Sequence, residues 1–142
     1  MGLDNGIVLK MNTNDAKKAG CPFLDCNYDD NEVDICYWRK CYGLRDLILE
    51  ELGLDDSSTY YLTHDNVNTL IDLLIFLVES EESWVENAES IWEYDEYLPN
   101  MCRCILRLIW LKEYWKTHPD IKDTFMIVIN YDKKISSWRN TK

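Results

Sequence analysis

The sequence predicts an α+β domain dominated by helix, with about four helices and a small two-stranded sheet formed by the N- and C-terminal strands. Three observations predict it. Apolar residues recur at helical spacing through the middle of the chain, helix-start and helix-stop residues punctuate that pattern, and the clearest β-rich runs lie near the two ends. At 142 residues, 46% apolar and with six Trp and nine Tyr, the chain has material for the core of a single globular domain spanning 1–142.

The elements follow in order. Residues 6–11 are β-prone and come after Asp4-Asn5-Gly6, which reads as the turn that launches a strand. Residues 12–31 are mostly turn formers and read as a long loop with a hairpin at 21–26. A helix is predicted over 32–52, because Val33, Tyr37, Cys41, Leu44, Ile48 and Leu52 repeat at helical spacing and Gly53 supplies a left-handed stop. After a loop at 55–58, Thr63 is the N-cap of a central helix carrying Val67, Leu70, Ile71, Leu74 and Leu77. An acidic helix over 79–96 comes next, with Trp84, Val85, Ala88, Ile91 and Trp92 on its inner face. Pro99 then opens a strongly apolar helix over 100–116, which His118-Pro119 ends. Residues 124–131, rich in β-branched and aromatic side chains, read as the closing strand, and its partner is the first one.

Charge is the most distinctive feature. The net charge is −11, and residues 79–96 hold eight acids and no base, leaving 18 acids against 15 bases elsewhere. Glu79, Glu82, Glu86, Glu89, Glu93 and Glu96 alternate in steps of three and four, which on one helix forms a single stripe with carboxylates about 5 Å apart. That spacing is comparable with the charge spacing of a nucleic-acid backbone. The negative balance excludes direct binding to nucleic-acid phosphates or an anionic membrane and points to a basic protein partner. Tyr94 and Tyr97 are the candidate exposed aromatic anchors beside the stripe, whereas Trp84 and Trp92 face the core. The plainer reading stays open: an amphipathic helix carries charge on its wet face, and acids keep a small protein soluble.

Other chemistry fits less well. Cys21, Cys26, Cys36 and Cys41 offer four thiolates for a structural zinc, but on a helix Cys36 and Cys41 lie about 140° apart and Cys102 and Cys104 point to nearly opposite sides. Free buried thiols are expected, with no metal and no cofactor. His64 and His118 are ordinary helix-boundary residues outside any catalytic signature, and the five glycines form no phosphate loop, so no enzyme is expected. The longest apolar run, 73–78, is too short to span a bilayer, and the first residues form no secretion signal or myristoylation motif. A cytoplasmic location is expected.

Met1-Gly2-Leu3-Asp4-Asn5-Gly6-Ile7, Tyr37-Trp38-Arg39-Lys40-Cys41 and Ser136-Ser137-Trp138 together resemble a loosely defined group of small proteins from phages and prophages of low-GC Gram-positive bacteria. The resemblance implies an accessory protein of a mobile element acting in the host cytoplasm, and it carries over no catalytic motif. In that setting the expected partners of the acidic stripe are host nucleases or defence complexes with basic channels, making the protein an anti-defence or anti-CRISPR-like inhibitor. The alternative is a structural or assembly protein of a phage whose acids serve only solubility.

Overall fold

The computed structural model describes residues 3–24, 30–39, 42–54, 59–87, 91–120 and 124–130. Strand β1 (Leu3–Leu9) is followed by α1 (Thr13–Lys18), β2 (Val33–Arg39), α2 (Tyr42–Leu52) and β3 (Thr59–Tyr61). Helices α3 (His64–Glu79), α4 (Glu81–Asn87) and α5 (Ile91–Thr117) then lead to β4 (Thr124–Asn130). The fold is α+β and mainly helical.

The N- and C-terminal strands pair, as predicted: β1 and β4 run antiparallel with Leu3 opposite Asn130 and Leu9 opposite Thr124. The sheet is larger than the predicted pair, however. It has four antiparallel strands in the order β2-β1-β4-β3, so the expected two-stranded sheet is its centre and β2 and β3 are its edges. Asp4-Asn5-Gly6 lies inside β1 and is not a turn before it.

The predicted helix over 32–52 is in fact a strand followed by a helix. A bulge between Ile7 and Val8 of β1 shifts the register of β2, with Ile7 opposite Cys36 and Val8 opposite Asp34. The unpaired extra residue is Ile35, and the shift lets Val33, Ile35, Cys36 and Trp38 all enter the core. Trp38 is therefore a buried strand residue and not a helical one. The predicted left-handed stop at Gly53 is present. Gly53 has φ +69°, its N–H donates to the Glu50 carbonyl, and Leu54 donates to that of Leu49 at 2.8 Å, the paired closure of a Schellman motif.

Two further elements are additional to those predicted, and the first of them lies in the expected loop. Helix α1 occupies part of 12–31, with Asn12 accepting from the Asn14 N–H at 2.8 Å and Gly20 at φ +83° ending it. Short β3 precedes α3. Thr63 caps α3 as predicted: its hydroxyl accepts from the Asn66 N–H at 3.1 Å while Asn66 Oδ1 accepts from the Thr63 N–H at 3.0 Å.

One apolar core joins the layers. Leu70, Leu74 and Leu77 of α3 and Met101, Leu108 and Leu111 of α5 share it with Ile7, Leu9, Val33 and Ile35 of the sheet. Polar ties fix α5 on β2: Asn100 Nδ2 donates to the Tyr37 carbonyl at 2.6 Å, and Arg107 donates to that of Asp34 at 3.3 Å. Arg107 also lies 4.9 Å over the Phe23 ring. Among the described residues no helix is long and apolar enough to cross a membrane.

Candidate interaction surface

The acidic segment is not one helix. Ser80 is extended, with φ −146° and ψ 112°, and it ends α3. It also starts α4, since its hydroxyl accepts from the Ser83 N–H at 3.1 Å and its carbonyl accepts from the Trp84 N–H. Glu81 and Glu82 follow in the first turn of α4, where carboxylates meet the positive end of the helix dipole. The six glutamates are accordingly distributed: Glu79 ends α3, Glu82 and Glu86 lie on α4, and Glu93 and Glu96 belong to α5. Glu89 and Ala88 fall outside the described residues. The evenly spaced rod is replaced by carboxylates on three consecutive elements.

Those carboxylates are nevertheless open. Glu79, Glu82, Glu86 and Glu96 are exposed, and none has an ion-pair partner among the described residues. The ion pairs described there lie elsewhere: Lys10 with Glu32 at 3.1 Å, Arg45 with Asp46 at 2.7 Å, and Lys116 with Glu113 at 2.8 Å. Val85, expected on the inner face, is 45% exposed, because the short α4 buries only Trp84 fully.

Tyr94 and Tyr97 are not exposed anchors. Both are half-buried against Trp84, with ring centroids 6.1 and 6.2 Å away. The Tyr94 hydroxyl donates to the Val78 carbonyl at 2.8 Å, tying α5 back to the end of α3. Burial, reinforced by the charges of Glu81 and Asp95, raises the Tyr94 pKa. These rings hold the acidic elements together from beneath. Helix α5 begins at Ile91 and carries Pro99 inside it instead of in its first turn.

A groove of about 390 Å³ between α2 and α3 was not foreseen. Leu47, Leu73 and Phe76 line it with Glu51, Asp72 and, from the end of α4, Asn87. Phe76 is 50% exposed. Carboxylates above an apolar floor suit the aliphatic stem and charged head of Lys or Arg. In sequence these residues are dispersed over 41 positions, and only the packing of α2, α3 and α4 gathers them.

Comparison with known families, curated proteins and solved structures finds no match. The residues themselves carry the chemistry. No group of three or more His, Cys, Asp or Glu converges to hold a metal among the described residues. Cys36 is a strand residue, so the helical spacing argued for it and Cys41 does not apply; Cys26 and Cys41 lie outside the described residues. Burial pushes the Cys36 thiol well up, and its hydrogen bond with Cys104 adds to this. Burial likewise raises Cys21. Cys102 is exposed while Cys104 is buried, as their spacing predicts.

Proposed function

We propose that this is a non-enzymatic binding protein whose acidic surface, from the end of α3 across α4 to the start of α5, engages a basic protein. The observation that carries the reading is the set of exposed carboxylates, Glu79, Glu82, Glu86 and Glu96, with no intramolecular cation beside them among the described residues. The groove under Phe76 supports it by adding apolar contact to charge. The partner class is a nucleic-acid-handling protein of a host cell, a nuclease or defence complex, inhibited by occupation of its basic channel. This is the phage-type, cytoplasmic role that the resemblance in the terminal and Tyr37–Cys41 motifs implies.

Binding of this kind is steered by charge and weakens with salt. Capture of a partner from host lysate is expected at low salt and is lost when Glu79, Glu82, Glu86 and Glu96 become Lys. Capture that survives both the substitutions and high salt would refute the reading. A second reading, a phage assembly component, is favoured by Leu106 and Ile109, which are 68% and 41% exposed one turn apart on α5. It requires a stable oligomer by light scattering, and a strict monomer removes it.

A further inference from the structure

We infer that a cavity at the opposite end of α3 binds a small organic anion, a carboxylate or phosphate head on a compact, flat body. The cavity, about 310 Å³, is lined by His64 and Asn68 of α3 and by Lys112, Trp115 and Lys116 of α5, with Pro119 at its margin. That size falls at the small end of ligand pockets. The His64 ring lies 4.2 Å from that of Trp115, so two flat rings form its apolar wall.

Lys112 and Lys116 line the cavity beside that wall, in a chain of net charge −11. Lys112 and Lys116 are one helical turn apart, a spacing at which like charges repel and an anion between them is welcome. Lys112 has no ion-pair partner among the described residues. Lys116 meets Glu113 at 2.8 Å, but both are well exposed, so this is a weak surface pair that a ligand can displace. Asn68 also lines the cavity. Its Oδ1 is shielded from solvent and has no hydrogen-bond partner among the described residues, so the part of the side chain open to the cavity is not that oxygen. Asp65 is the nearest acid in the α3 sequence and lies about 100° around the helix from His64.

The site is separate from the acidic surface, since His64 and Glu79 are at the two ends of α3, about 22 Å apart along its axis. The test is a titration of the full chain with salicylate and with adenosine monophosphate, using phenol, adenosine and inorganic phosphate as controls. Proton–nitrogen spectra would follow the Trp115 indole N–H and the amides of residues 64–68. Saturable shifts confined to these groups are expected with one or both organic anions and not with the neutral controls. Saturation by inorganic phosphate alone overturns the organic-ligand claim. Lys112→Gln with Lys116→Gln is expected to weaken binding roughly tenfold, and Glu113→Gln, which frees Lys116, to tighten it. No saturable shift with either organic anion, or equal affinity in all three proteins, overturns the inference.

Discussion

Replacing Glu86 by Lys is expected to make the protein more stable while impairing partner binding. Glu86 is exposed near the C-terminal end of α4, whose last turn has no basic residue. Its carboxylate therefore faces the negative end of the helix dipole, and it lies one turn after Glu82, a like charge. Lys at this position reverses both interactions. The dipole effect is worth about 0.3–1 kcal/mol for an exposed group, and the pair with Glu82 about 0.2–0.5 kcal/mol, in the favourable order with Glu first. For a helix of only seven residues the low end applies, giving about 1 kcal/mol in total and a rise of about 3 °C in Tm. The C-terminal carbonyl of Ser83 is already satisfied by Asn87 Nδ2 at 2.9 Å, so no new cap enters the comparison. Thermal and urea melts at low salt would measure the gain, which should shrink in concentrated salt as screening grows. A destabilised or unchanged variant at low salt would refute the reasoning, since it would show that Glu86 has a favourable intramolecular contact. A stabilised variant that still binds its partner would remove Glu86 from the interface.

Trp84→Ala is expected to cost about 3–5 kcal/mol in a urea melt, because the ring is fully buried and is the support for both Tyr94 and Tyr97. Ser80→Ala removes the hydroxyl that starts α4 and should cost about 1 kcal/mol by the same measurement, with little change for Ser80→Asp. Stability should fall in alkali: burial raises the phenol pKa of Tyr94 and Tyr114 in the folded chain above 10.0, so the unfolded chain loses those protons first. Their contribution is complete below pH 10 and disappears as pH climbs through the raised values, and the Tyr94→Phe, Tyr114→Phe double variant should show a flatter melt profile there.

Much of the helical framework was legible because local chemistry decides it. Thr63 with Asn66, Gly53 and His118-Pro119 mark their boundaries through capping, a positive φ and a missing N–H, which act regardless of the rest of the fold. Strand β2 was masked by its bulge. With Val33, Ile35, Cys36 and Trp38 all inward, the alternation of a strand is lost, and Val33, Tyr37 and Cys41 imitate a helix. The break at Ser80 did have a signal, a capping serine followed by Glu81 and Glu82, which the regular glutamate spacing obscured. By contrast the groove beneath Phe76 and the Lys112–Lys116 cavity depend on which helices pack together, and no single stretch of sequence encodes that.

The placement of β4 between β1 and β3 sets a schedule for assembly. During synthesis the chain must emerge through residue 130 before Leu3 can meet its partner 127 positions later, so the middle of the sheet is the last space to be filled. Until then one side of β1 and the whole of β3 present unpaired backbone, a template on which other nascent chains can add. Long-range pairing of this kind slows folding relative to the local helix contacts. A truncation before Thr124 thus leaves a helical layer over two separated strand edges, and aggregation of such fragments is the physical consequence of this strand order.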